Sequence, residues 1–300
     1  MKKLNHQLSF RDERRENPQA PRRLFLRQAG ALSLWGAVPA WAQPEAQQSP
    51  AAPQPEPLRL GCEAALVNSG LVPAWQRAFT HQTGVALALT AVASTEALQM
   101  LDRGEVHMSV TNDPKRELEL EQPGLAHGRV LVAGGSFVLV GPSSAAKTLR
   151  AAITGAHATS APIPLLLQTM AKEGVTFLSR TDGSGTHHFE QGLWEWAQVK
   201  PEGAWYRRAL GDVPHWLHAK EMGACIVLEK GVWLRLAKDS GLVVLADNDP
   251  ALNIGVHLMR AFRSRHPGGQ LFAKWLTGPT GQWVTRRAGY RTAAQARAFT

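Results

Sequence analysis

Cysteine is nearly missing from this 300-residue chain, which holds only Cys62 and Cys225. Two residues allow at most one bridge, so a fold stapled by a disulfide framework is excluded. Their spacing does not pair them, and two buried free thiols are the expected state. Long apolar runs are missing too. The stretch ALSLWGAVPAWA at 31–42 is broken by Gly36 and Pro39 and is too short to cross a bilayer. No internal repeat is present and no glycine loop of Walker type ends in Lys. The one Gly-Ser-Gly cluster, at 183–185, does not have the spacing of a nucleophile elbow, which needs glycines two residues either side of the serine. The basic residues do not fall in blocks interleaved with aromatics, so nucleic acid is not an expected partner.

What the N-terminus does have is an address. Residues 21–27 read PRRLFLR, and the apolar stretch after them closes in Ala40-Trp41-Ala42, a small-x-small pattern expected at a signal-peptidase cut. Arg22-Arg23 followed by Phe25-Leu26 resembles a twin-arginine export signal. Residues 1–42 are therefore expected to be removed, and the rest to reside in a bacterial periplasm. Taking their 8 basic and 3 acidic residues from totals of 33 and 24 leaves 25 and 21. A net charge of +4 excludes little, and helps only slightly to steer small anions.

Residues 43–57, QPEAQQSPAAPQPEP, have the composition of a flexible spacer. Beyond them strand and helix patterns alternate. LRL at 58–60, VALALTAV at 85–92 and VHMSVTN at 106–112 read as strands. Between them GLVPAWQRAFTHQTG and TEALQMLDRGE have helical spacing, the first stopped by Gly84. This order predicts parallel-rich α/β sheets flanked by helices. GSFVLVGP at 135–142 and LNIGVHLMRAF at 252–262 read as strands that cross between two lobes. The expected division is 58–139 with 249–300 in lobe one, and 140–248 in lobe two. Ligands of such folds sit outside the carboxyl ends of the strands.

The segment SRTDGSGTHHFE at 179–190 carries the chemistry. VTFLSR supplies a strand, Asp182-Gly183 a turn, and Ser184 an N-cap for the helix that follows. The amides of Gly185, Thr186 and His187 then stand free at a helix N-terminus, which together with its dipole is a seat for an anion. Arg180 adds a planar fork suited to two oxygens of an oxyanion. Equally compatible with these residues alone is a capped helix with Arg180 paired to Asp182. His187 and His188 point about 100° apart on a helix and do not predict a metal site. No cofactor is expected, and no base lies at useful spacing from Ser184, so an enzyme is not expected either.

Taken together, these stretches resemble the periplasmic substrate-binding proteins of ABC importers, and their tungstate-binding branch more than the related phosphate-binding proteins. The residues that carry the resemblance are RTDGSGT after its strand, LRLGCEAALVNSGLVPAWQRAFTHQTGV, EALQMLDRGEVHMSV, FVLVGP, GLVVLADNDPALN and FAKWLTGPTGQ. It covers nearly all of 58–290. It implies the type II two-lobed fold with hinge crossover strands, a monomer, a membrane permease as partner and a tetrahedral oxyanion as solute. The lobe-two ligands it implies are Arg180, Ser184, Gly185 and Thr186.

In the first ligand loop the chain departs from that branch. A Thr-Thr-Thr-Ser run is replaced by Cys62-Glu63-Ala64-Ala65, and a Gly-Thr-Gly-Gln loop by Ala93-Ser94-Thr95-Glu96. The implied lobe-one ligands become Ala64, Ala65, Ser94 and Thr95, joined by two carboxylates, Glu63 and Glu96, expected to face the cleft. Carboxylates there oppose a dianion by Coulomb repulsion. Three outcomes fit: the amides still donate with both acids turned away, the solute is partly cationic, or the fold serves as a sensor without a transported solute.

Overall fold

The computed structural model describes residues 56–153, 161–209 and 213–298. The export signal read at 1–42 and residues 43–55 of the spacer lie outside them. β1 (Leu58–Glu63) runs directly into the short α1 (Ala64–Asn68), and α2 (Leu71–Thr83) follows. Then come β2 (Leu87–Val92), α3 (Ser94–Asp102), β3 (Met108–Thr111) and α4 (Pro114–Glu121). α2 buries Leu71, Val72, Trp75 and Phe79 on one face, and ends at Gly84 in the left-handed conformation, φ 74°, where a side chain would be strained. β1 is central and parallel to both neighbours, with Leu60 opposite Leu89 on one side and Met108 on the other.

β4 (Ala126–Gly141) has 16 residues and begins well before the strand expected at 135–142. Gly128, Gly134 and Gly135 break its apolar pattern, so its first half does not read as a strand. A partner ladder holds it instead. Next come α5 (Ser143–Ala152), α6 (Ile163–Glu173), β5 (Phe177–Ser179), α7 (Gly185–Trp196), β6 (Tyr206–Arg208) and α8 (His215–Met222). β7 (Ile226–Glu229), α9 (Lys230–Ser240), β8 (Val243–Ala246) and β9 (Asn253–Ala261) lead to α10 (Pro267–Thr277), α11 (Pro279–Arg287), β10 (Arg291–Thr292) and α12 (Ala293–Ala296).

The first sheet runs β10-β4-β9-β3-β1-β2. Residues 126–136 of β4 pair antiparallel with β9, and from Phe137 the same strand pairs with β7 and β8. One strand thus belongs to two sheets and changes partners between Ser136 and Phe137. The fold class is α/β, as expected, and the sheets are mixed. Parallel pairing holds for β1 with β2 and β3, and for β5 with β6, while the strands that cross between sheets run against their neighbours.

Each sheet is covered on both faces. Over the first, Trp75, Phe79, Phe272 and Leu276 fill one side, and Leu98, Leu101 and Met259 the other. Phe79 meets the edges of Phe272 and Trp275 at centroid distances of 5.0 and 5.6 Å, geometry that adds about 0.5–1.5 kcal/mol per pair to area burial. In the second sheet the pleat of β4 divides its side chains. Phe137 and Leu139 face α6 and α7, while Val138 and Val140 face α8 and α9, the period of two that a strand imposes.

Cys62 lies in the first of these cores and Cys225 in the second, both free and buried, as the scarcity of cysteine suggested. Burial pushes the Cys62 thiol far above its ordinary range and that of Cys225 up to about 12. The nucleophile is the thiolate, so neither should react with a disulfide reagent in the native protein, whereas denaturant should release two equivalents. A full equivalent titrating under native conditions would contradict this packing.

Candidate anion-binding site

Glu63 closes β1, Ser94 opens α3 just after β2, and Asn112-Asp113 follow β3. From the other side of the cleft, Arg180 leaves β5 of the two-stranded β5-β6 sheet and Glu229 ends β7. All lie at carboxyl ends of strands, where loops converge and side chains are free to meet a solute. A cavity of about 210 Å³ sits among them, lined by Glu63, Ala64, Ala65, Arg180, Ser184 and Thr186 among others. Larger hollows, about 470 and 940 Å³, lie elsewhere on the surface. Neither is lined by the loop after β1 or by the start of α7.

The centre of the site is a carboxylate. Glu63 is 1 % exposed. Its Oε2 accepts the Ser94 hydroxyl at 2.6 Å and the Gly185 amide at 3.0 Å, and its Oε1 accepts the Ala65 amide at 3.4 Å. The donors come from α3, α7 and α1, so elements of both sheets converge on one side chain. Burial pushes its carboxyl above the usual range, outweighing the bonds from Ser94, Gly185 and Ala65 and the charge of Arg180, which pull the other way.

Gly185 is the first residue of α7, and Ser184 caps the helix by accepting the His187 amide at 3.2 Å. A Cβ at Gly185 would lie 2.0 Å from Oδ1 of Asn112, so only glycine lets β3's end approach the helix start so closely. Both polar atoms of the Asn112 side chain are buried without a partner. Arg180 lines the cavity while its guanidinium is held by Asp182, Nε to Oδ2 at 2.9 Å and Nη2 to Oδ2 at 2.5 Å. Burial alone would raise the Asp182 carboxyl, but the bonds and charge of Arg180 outweigh it and hold the group well below the usual range. The Arg180–Asp182 pairing, one of the two alternatives in the sequence, is present, and the Gly185 amide has a Glu63 oxygen as its acceptor.

Further contacts tie the two halves together. The Gly183 carbonyl accepts the Thr95 amide at 3.2 Å and the Thr95 hydroxyl at 2.9 Å. His188 meets Asp113 at 2.5 Å, and Arg235 of α9 donates to the Ser69 carbonyl at 3.0 Å. The clamp is shut.

Of the residues expected at the site, Ala64, Ala65, Arg180, Ser184 and Thr186 line the cavity. Ser94 and Gly185 bond to Glu63, while Thr95 serves as an interlobe bridge. Glu96 is a correction. It was expected to face the cleft, yet it points outward and pairs with Arg103 at 3.0 Å. The reason is helical geometry: α3 starts at Ser94, so residue 96 is rotated about 200° from the side that faces the site. Its partner in the expectation, Glu63, points inward.

Two further acids escaped the sequence reading. Glu229 caps α9 through the Val232 amide at 3.0 Å, lines the cavity and is pushed to about 7, first by burial and then by the nearby Glu63 charge. A strand, a Glu and a helix in LEKGVWL were the available signal. Glu190, inside α7, accepts Ser179 Oγ (2.9 Å), the Arg180 amide (3.3 Å), Trp194 Nε1 (3.2 Å) and Tyr206 Oη (2.9 Å). It fixes the strand exit that aims Arg180. Nothing local in the sequence announces that role.

Strand ends of an α/β fold that converge on one cleft are the arrangement in which solute-binding proteins hold their ligands. Residues 61–278 match the PBP superfamily domain, and the chain belongs to that superfamily. It is 29 % identical over 223 residues to the tungstate-binding protein TupA of Peptoclostridium acidaminophilum, covering 72 % of this chain and 75 % of that one. To the tungstate-binding protein TupA of Campylobacter jejuni it is 25 % identical over 221 residues, 70 % and 79 % of the respective chains. The crystal structure of the tungstate ABC transporter from Geobacter sulfurreducens aligns with a TM-score of 0.68 at 25 % identity, covering 77 % of this chain and 98 % of that one. The fold is therefore the type II periplasmic binding fold.

Two outcomes follow from this geometry. Gly185→Ala should cost about 1–3 kcal/mol by overpacking, read as a lower melting temperature. An unchanged value would mean Asn112 yields freely. Glu190, pushed to about 7 by burial, has a folded pKa above its unfolded one. Its contribution is fully present below about pH 4.5 and is lost as pH rises through about 7. The stability of wild type relative to Glu190→Gln should fall between pH 4.5 and 8 in denaturant titrations; a constant difference would show that the carboxyl does not titrate there.

Proposed function

We propose that this chain is the periplasmic solute-binding component of an ABC importer and captures a tetrahedral oxyanion of the tungstate or molybdate type between its lobes. One observation carries the reading: the Gly185 and Ala65 amides and the Ser94 hydroxyl, from elements on both sides of the cleft, converge on the oxygens of a single carboxyl group. A site that binds carboxylate oxygens with backbone amides at a helix N-terminus is built for an oxyanion. The tungstate-binding names of its relatives supply the class of solute. Arg180, Ser184, Gly185, Thr186, Ala64, Ala65 and Ser94 are the residues we assign to the solute, with Arg180 turning from Asp182 to the bound oxyanion.

In this reading 58–139 with 249–300 form one lobe and 140–248 the other. The exchange of partners along β4 supports a hinge at Ser136–Phe137, a few residues ahead of 140, and closure is a bending of the crossing strands. The partner is a permease in the inner membrane, reached after export by the twin-arginine-type signal. Solute binding and no catalysis is the role we assign. A second reading has one specific observation in its favour: Glu63, Asp182 and Glu229 line the cavity against a single arginine, a balance that suits a solute with a cationic group.

Titration calorimetry of residues 43–300 with tungstate, molybdate, phosphate and sulfate separates the two. Binding of at least one of them is expected, and Arg180→Ala should weaken it about 10- to 100-fold, the worth of a hydrogen bond to a charged group. No heat from any of the four, together with thermal stabilisation by an amine-bearing solute, would favour the second reading.

A further inference from the structure

Glu63 is more than an acid that happens to face the cleft. Its carboxylate is buried and spans the lobes, bonding Ser94 from the first sheet and the helix start of the second through one oxygen, Oε2. That is the pattern of contacts one oxygen of a clamped oxyanion makes: a hydroxyl from one jaw, a helix N-terminal amide from the other. Two other details point the same way. Asn112, 1 % exposed and packed on Gly185, has no partner for its side-chain amide. The cavity, with Arg180 on its wall, adjoins the same carboxylate.

We infer that Glu63 is a resident occupant of the seat and the residue that sets its selectivity: its carboxyl group occupies one oxyanion-oxygen position and competes with any solute that enters. The inference rests on the oxyanion reading for the solute, but not for the seat. A carboxylate anchored to β1 only one side chain away acts at a high effective concentration. An external oxyanion must displace it, and its apparent affinity falls by the fraction of time the seat is free. The charged groups that share the cavity sharpen the effect. Arg180 attracts both rivals, while Asp182 and Glu229 repel an incoming dianion, so weakly charged oxyanions compete best.

The test removes the resident and offers its chemical equivalent. Melting curves and calorimetry are recorded for residues 43–300 as wild type, Glu63→Ala and Glu63→Gln, with formate, acetate, sulfate, phosphate, molybdate and tungstate. Formate should stabilise Glu63→Ala and leave wild type unmoved, because the small carboxylate re-enters the vacated position. The oxyanion bound by wild type should bind Glu63→Ala at least about tenfold more tightly, with Glu63→Gln between them. Glu63→Gln alone carries the test if the alanine variant does not fold, since its affinity must still exceed that of wild type.

Equal oxyanion affinity in all three proteins, with no response of Glu63→Ala to formate, overturns the inference and leaves the transport reading standing. Weaker oxyanion binding in both variants also overturns it, since Glu63 would then be a ligand-supporting group. Formate rescue of Glu63→Ala without oxyanion binding by any form supports the resident carboxylate and removes the oxyanion assignment instead.

Discussion

The start of α7 is buried between two sheets, and a buried helix N-terminus must give its free amides an acceptor. That constraint organises the site. The dipole and the Gly185 amide call for negative oxygen, and within the chain that oxygen belongs to Glu63, on the far side of the cleft. Once Glu63 is drawn there, Ser94 and the first turn of α1 gain partners as well. The contact between elements on the two sides of the cleft and the satisfaction of backbone polarity are in this way the same interaction, and the remaining bridges, Thr95 to Gly183 and Asp113 to His188, add to a contact already required.

Around this centre the chain holds two other buried acids on strict terms. Glu190 makes four hydrogen bonds, and Glu229 caps a helix. Each is satisfied by neighbours rather than by an opposite charge, which is why burial leaves both of them near 7. A carboxyl without an ion pair, held by hydroxyls and amides, changes charge at little structural cost. At Glu229 the cavity wall therefore has a charge that responds to pH in the neutral range.

Much of the fold was legible in the sequence because it rests on local signals. Gly84 ended α2, Ser184 capped α7, and the alternation in 85–112 gave the β-α-β order. The first half of β4 was not legible, since Gly128, Gly134 and Gly135 erase the pattern and only the ladder from β9 keeps the segment extended. At the site, the RTDGSGT segment announced its turn and its Ser184 cap. Glu63 could be placed in the cleft but not in the seat, because its partners are 31 and 122 residues away. Glu96 went wrong by two positions on a helix, and Glu229 and Glu190 were hidden because acidic caps and core acids look like surface acids in a linear chain.

The sharing of β4 between two sheets also has a mechanical consequence. A linker made of loops stores slack, and lobes joined that way drift apart by thermal motion alone. Here a single pleated ribbon, paired on either side of Ser136–Phe137, carries load straight from one sheet into the other. Any bend at that junction flexes a continuous strand whose ladders stay paired on both sides, which restricts its direction.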